Sequence, residues 1–482
     1  MAKKRAQVVF IPSPGAGHFG STVEFAKLLS NRDEGISITV LVMKSPFDHS
    51  TSANSCTESL SSFERIKVTH LPEVQVTADQ FNPGSFMTEL LELQKPNVTQ
   101  VVSNLTASAS APPLAAFVVD MFCTTMIDVA EQHFKVPSLV FYTSGLAFLG
   151  LILHLHTIRE RDNIYFGDSE ADVAIPSFVN PVPPKSLPSI VVNKEWNPFF
   201  LRYGGGLKRA NGLIVNSFEE LESHAVRSFS STSEFHHLPV YPVGPILNFN
   251  GGDDADNNNN NEEIIKWLDD QPPSSVVFLC FGSMGSFDED QVREIAIALD
   301  NSGARFLWSL RKPPPKDTMG KPSDYAPSEL PAILPDGFLD RTAGIGRIIG
   351  WAPQTQILAH PSTGGFVSHC GWNSTLESIY FGVPIAAWPL YAEQQTNAFE
   401  LVCELKVAVE IALDYRVEFK GGRNMLLSAD KIERGIRSVL EKDGEFRNKV
   451  KEMSEKSRKT LLPGGCSYSY LGRLVDYLMD QV

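Results

Sequence analysis

Short apolar runs alternate with longer amphipathic stretches in this chain, and the pattern occurs twice. In the first half the runs are Val8–Ile11 (VVFI), Ile36–Met43 (ISITVLVM), Leu114–Val119 (LAAFVV), Ser138–Thr143 (SLVFYT) and Gly212–Phe218 (GLIVNSF). They are too short for buried helices, and intervening stretches such as Ser21–Ser30 carry apolar residues at helical spacing. Strands that are apolar throughout, rather than alternately, are buried on both faces. That predicts parallel sheets covered by helices on each side, an α/β architecture. The polar, low-complexity stretch Gly251–Glu263 (GGDDADNNNNNEE) can bury nothing and reads as a flexible linker. The alternation then restarts. Ser275–Ser283 is a strand and glycine turn, Asp288–Gly303 a helix with an acidic start and a glycine stop, and Arg305–Leu310 a strand. Lys312–Gly337 is proline-rich and irregular. Two α/β halves predict a ligand cleft between them, at the carboxyl ends of the strands.

Charge narrows the ligand. The 482 residues carry a formal net charge of −14, which argues against a nucleic-acid partner while leaving room for a small anion at a local positive site. The 6 cysteines form no CxxC pair and suit free thiols in a reducing compartment. The apolar run before Pro12 is shorter than the roughly 7–15 residues of a secretory leader. The longest apolar stretch elsewhere, Gly145–Leu153, is far below the roughly 20 residues that span a bilayer. A cytoplasmic protein without stable membrane insertion is expected.

Two segments carry candidate chemistry. The first is GAGHFG, Gly15–Gly20, after a strand and before a helix. Gly15, Gly17 and Gly20 match the dinucleotide fingerprint, but no acidic residue closes the second strand as that motif requires. A nicotinamide enzyme therefore stands as a distant alternative. The same loop holds His18, a candidate general base. Asp120 follows the strand Leu114–Val119, where it could fix the imidazole tautomer and stabilise the imidazolium. No G-x-S-x-G elbow accompanies them.

The second segment is Trp351–Gln394, WAPQTQILAHPSTGGFVSHCGWNSTLESIYFGVPIAAWPLYAEQ. A strand (GGFVS) passes through His369-Cys370-Gly371-Trp372-Asn373-Ser374 into a helix, whose first N–H groups favour a phosphate. Glu377 lies one turn on and could accept ribose hydroxyls. Trp351 offers a flat face for a base. Each residue also has a plain structural reading, as core, helix face or turn.

That segment resembles, end to end, the signature box of plant family 1 UDP-sugar-dependent glycosyltransferases. PSPGAGH near the start, VNSFEELE (Val215–Glu222), YPVGPI (Tyr241–Ile246), CFGSMGSF (Cys280–Phe287) and LPDGFLDR (Leu334–Arg341) extend the likeness over nearly the whole chain. The resemblance implies a GT-B fold, two Rossmann-like domains facing across a cleft. It implies an acceptor domain at 1–248, a linker at 249–263, a UDP-sugar domain at 264–460, and a closing helix at 461–482 packed back on the first domain. By motif, the base falls on His18 and its partner on Asp120. The uracil-stacking residue falls on Trp351, with Gln354 beside the base. Ribose falls on Glu377. The diphosphate falls on Ser283, His369, Asn373 and Ser374. The sugar hydroxyls fall on Trp372, Glu393 and Gln394. A final glutamine in the box is associated with glucose, so Gln394 implies UDP-glucose as donor substrate, with no further cofactor and no metal. Two D-x-D patterns, Asp254–Asp256 and Asp288–Asp290, sit in the linker and at a helix start. CFGSMGSF and EFAKLL look like members acting on flavonoids, other phenolics and triterpenoids. A phenolic acceptor is expected, with a triterpenoid or hormone as the alternative and a catalytically silent sugar-nucleotide binder as the rival class. Phe122, Phe148, Phe200 and Tyr391 are candidate acceptor walls, and a monomer is expected.

Overall fold

Side chains along β1 (Ala6–Ile11) divide strictly by parity. Val8 and Phe10 join one buried cluster, Val9 and Ile11 another. A strand buried on both faces needs helices on both, and the computed structural model builds them; it describes residues 4–44, 57, 59–77, 83–249, 258–315, 320–417 and 425–482. The first sheet adds β2 (Ile36–Val42), β3 (Ile66–His70), β4 (Leu114–Asp120), β5 (Ser138–Tyr142), β6 (Gly212–Val215) and β7 (Val240–Pro242). Its order is β3-β2-β1-β4-β5-β6-β7, and every pairing is parallel. The helices that shape the site on this side are α1 (Ala16–Arg32), α2 (Pro83–Thr106), α3 (Leu146–Asp162) and α4 (Asn197–Lys208).

A second parallel sheet repeats the design. It contains β8 (Val276–Cys280) and β9 (Arg305–Ser309). After a small antiparallel pair, β10 (Arg311–Lys312) and β11 (Ser323–Asp324), it continues with β12 (Gly346–Ile349), β13 (Thr363–Ser368), β14 (Ile385–Ala387) and β15 (Ala408–Glu410). The order is β12-β9-β8-β13-β14-β15. Parity again splits β8: Val277 and Leu279 face one core, Val276 and Phe278 the other. Two helices matter most here, α5 (Asn258–Asp269) and α6 (Glu289–Ser302). Asp288 caps α6 by accepting the Gln291 N–H at 3.1 Å, and Gly303 ends it at a φ of 60°. That cap accounts for the Asp288–Asp290 pattern; Asp254–Asp256 lies outside the described residues. The helix after β13 is α7 (Trp372–Phe381), and the last is α8 (Cys466–Met479). Leu471, Leu474, Val475 and Leu478 of α8 pack with Val8 and Phe10, so the chain's last helix covers the first sheet.

Two expectations are corrected. The segment expected as a flexible linker is helical from Asn258, because the asparagine run feeds directly into Ile264 and Leu268, which are fully buried. GAGHFG is not a loop but the opening of α1, which starts at Ala16. The halves are joined across a seam. Trp372 Nε1 donates to the Asn216 carbonyl at 2.7 Å, Thr396 Oγ1 to the Ser186 carbonyl at 2.7 Å, and Arg416 Nη2 to the Leu187 carbonyl at 2.6 Å. Among the described residues, no helix is long and apolar enough to cross a membrane.

Candidate active site

In parallel sheets every strand ends at the same edge, so residues just past those ends collect on one side. The predicted residues do this in both halves. His18 follows β1 in the first turn of α1, and Asp120 ends β4, the strand paired beside β1. His18 Nδ1 donates to Asp120 Oδ2 at 2.8 Å, while Asp120 is held from behind by the Phe122 N–H to Oδ1 at 2.9 Å. Burial opposes the imidazolium, but the Asp120 carboxylate, by charge and hydrogen bond, and Glu393 by charge lift its pKa above the ordinary value. With Nδ1 engaged, Nε2 is the atom left to take a proton. Sequence reasoning missed Thr143, whose Oγ1 lies 3.1 Å from the same Nδ1. Its signal was its place at the carboxyl end of β5, the same sheet edge at which Asp120 ends β4.

The second half supplies a different cluster. Gln354 Nε2 donates to Ser374 Oγ at 2.9 Å and to Glu377 Oε2 at 2.7 Å, tying three of the predicted residues together. Burial raises the Glu377 carboxyl to about 7, partly offset by Gln354. Trp351, past the end of β12, is 38% exposed, with the Arg311 guanidinium carbon 5.2 Å from its ring centroid. Ser283 is exposed in the turn after β8. His369 follows β13, wedged where Gly282 and Gly371 approach. A Cβ on either glycine would come within 2.6 and 2.5 Å of its Nε2. Burial depresses His369 to about 4, and its Nδ1 has no protein partner among the described residues. Its imidazole is neutral and offers hydrogen bonds, not charge.

Cross-contacts bring the halves together at this edge. Asn373 Nδ2 donates to the Gly17 carbonyl at 3.3 Å, and Ser21 Oγ to Asn373 Oδ1 at 3.4 Å. The glycine opening of α1 thus faces the other half's helix start, which leaves the dinucleotide reading of Gly15, Gly17 and Gly20 no support. Gln394 is buried. Its Oε1 accepts from the Leu390 and Tyr391 N–H groups at 2.9 and 3.0 Å, which directs its amide nitrogen elsewhere. Burial raises the Glu393 carboxyl, and the charge of His18 acts against that.

Three predicted side chains are corrected. The Trp372 indole is 2% exposed and its N–H is engaged by Asn216, so only its backbone N–H, in the first turn of α7, remains for a sugar. Phe200 is fully buried in the core of the first half, and Phe148 lies in the same cluster. On α4 the face toward Asp120 and His18 is instead formed by Phe199 and Tyr203, whose rings lie 6.1 and 5.5 Å from that of Phe122. Phe122 lies beside the candidate base: its ring centroid is 5.0 Å from that of His18. Tyr391 is half-buried beside Gln394. Among the described residues, no group of three or more His, Cys, Asp or Glu is arranged to hold a metal ion.

The family model described as "UDP-glucoronosyl and UDP-glucosyl transferase" matches residues 215–415. A relative from Malus domestica, UDP-glycosyltransferase 71A15, is 51% identical over 98% of this chain and 99% of its own length. The chain belongs to this family. A second UDP-glycosyltransferase relative, from Fragaria ananassa, is named a putative UDP-glucose flavonoid 3-O-glucosyltransferase and is 52% identical over 99% of this chain and 100% of its own length. Among solved UDP-glycosyltransferases, the Medicago truncatula UGT71G1 complex with UDP-glucose superposes with a TM-score of 0.86. It is 37% identical, over 98% of each chain. The two parallel sheets are therefore those of the GT-B fold, and the protein is a glycosyltransferase.

Proposed function

We propose that this enzyme transfers glucose from UDP-glucose to a phenolic hydroxyl of a small lipophilic acceptor, with inversion to a β-O-glucoside. The observation that carries the proposal is the His18–Asp120 pair facing, across the seam, the knot of Gln354, Ser374 and Glu377. The acceptor hydroxyl lies against His18 Nε2, which takes its proton as the bond to the anomeric carbon forms, so no free alkoxide need accumulate. Asp120 stabilises the imidazolium from the far side of the ring. The sugar passes through an oxocarbenium-like state in a single displacement, entered opposite the departing UDP. Charge growing on the diphosphate meets Ser283, Asn373, Ser374 and the N-terminal N–H groups of α7, with His369 as a neutral donor. Trp351 stacks on uracil with Gln354 beside it, and Glu377 accepts the ribose hydroxyls. Glu393, the Gln394 amide and the Trp372 N–H hold the sugar hydroxyls.

Support for glucose and for phenols comes from the relatives. Besides the Fragaria protein, one from Manihot esculenta is named anthocyanidin 3-O-glucosyltransferase and is 48% identical over 95% of this chain. On this reading residues 1–248 hold the acceptor, α5 to residue 460 holds the donor, and 461–482 returns to the first half. The enzyme acts as a cytoplasmic monomer, which light scattering on the purified chain and imaging of a tagged chain would check. The deciding test is incubation with UDP-glucose, EDTA and a panel of phenols, read by mass for added hexose. An adduct is expected. Its absence, together with no calorimetric binding of UDP-glucose, would overturn the reading.

A further inference from the structure

Next to Phe122, whose ring packs against His18, the first half has a shallow recess lined in part by aromatic rings and in part by Thr88 and Arg202. Phe122 touches the base. Phe199 and Tyr203, one turn apart on α4, continue the wall, their rings 6.1 Å apart and inclined by only 15°. Arg202, between them in sequence and three residues after Phe199, also lines the recess, as does Thr88 of α2. Arg202 Nη1 donates to Thr88 Oγ1, which tethers the guanidinium toward α2. Among the described residues this is its one hydrogen bond, and no carboxylate pairs with it. In a chain with 56 acidic residues against 42 basic ones, a cation at a pocket that meets no acid is a specific arrangement. A guanidinium retains several donors in a planar fork that fits a carboxylate.

We propose that this recess selects aromatic acceptors bearing a carboxylate remote from the reacting hydroxyl, with Arg202 as the residue that reads the anion. The proposal rests on the acceptor reading above and gives it a substrate class: phenolic acids in preference to their neutral esters. The ring lies along Phe122, Phe199 and Tyr203, the phenol reaches His18 Nε2, and the carboxylate reaches Arg202. Thr88 holds the guanidinium in place without neutralising it.

The test compares 3-(4-hydroxyphenyl)propanoate with its methyl ester. The saturated linker keeps the change of charge from altering the phenol electronically. Wild-type enzyme should favour the acid by about tenfold in kcat/KM, through KM rather than kcat, the size expected for one charge-assisted pair. Arg202→Gln should bring the acid-to-ester ratio to about one, and Arg202→Lys should restore part of it. Arg202 is exposed, so neither change disturbs a core. The product should be an alkali-stable aryl glucoside. An alkali-labile glucose ester would overturn the proposal, because it would place the carboxylate at His18 and not at Arg202. An acid-to-ester ratio near one in the wild type, or one unmoved by Arg202→Gln, would also overturn it. If neutral phenols are glucosylated in those cases, the acceptor reading stands and only the role of Arg202 falls. If no phenol of any charge is turned over, both fall together.

Discussion

His18 and His369 occupy comparable places, each just past the carboxyl end of an inner strand in one of two similar parallel sheets, yet they are driven in opposite directions. The His18 side chain is 28% exposed and His369 7%, and burial disfavours the imidazolium in each. His18 has a carboxylate at 2.8 Å and ends above its ordinary value, whereas no charge opposes the desolvation of His369, which falls to about 4. The lesson is that the partner, more than the burial, divides the labour. The half with the carboxylate can carry a proton through a reaction cycle. The half without it offers a neutral hydrogen-bonding ring to an anion.

The comparison can be broken most severely at His18. His18→Ala should lower kcat by about 10³-fold, within the range for a general base, while calorimetric UDP affinity stays within about twofold. A small kcat effect would refute the division of labour. Asp120→Asn makes the first histidine resemble the second. It should cost about 10²-fold in kcat and move the acid limb of the pH profile. The sign follows from the shift. Neutral His18 is the active form, so wild-type kcat/KM for acceptor falls as pH drops through its raised pKa. Without the Asp120 carboxylate, burial is opposed only by the charge of Glu393, so the inflection should move to lower pH.

Trp372→Phe tests the seam between the halves. It leaves the Asn216 carbonyl without its indole donor and should cost about 1–3 kcal/mol, read as a lower urea midpoint. The smallest effect is expected at Glu377. Its carboxyl, held up to about 7, ionises across neutral pH, so donor affinity should weaken as pH falls through 7 and ribose loses a charged acceptor. Glu377→Gln should flatten that dependence and raise the Kd for UDP-glucose by about tenfold at pH 8, measured by calorimetry.

Much of this was legible in the sequence because buried parallel strands are apolar on both faces, and their ends are the only places where polar side chains can gather. That logic located His18, Asp120, His369 and Glu377. It lost β14 and β15, only three residues each, whose pairing depends on neighbours distant in sequence. It read the glycines before His18 as loop, because propensity disfavours a helix there, whereas packing beneath Asn373 admits one. Phe199 and Phe200 are adjacent and equally aromatic. Only the phase of α4 tells which one lines the recess and which one fills the core. The motif resemblance places Trp372 at the site, but its side chain's engagement with Asn216 spans 156 positions of sequence, and no local pattern encodes it.

That indole also acts as a gauge block. It is rigid, and it is caught between the Asn216 carbonyl and Gly145, where even a methyl group would come within 2.9 Å of the ring. At this point of the seam the separation of the two halves is thereby set by the thickness of one bicyclic ring.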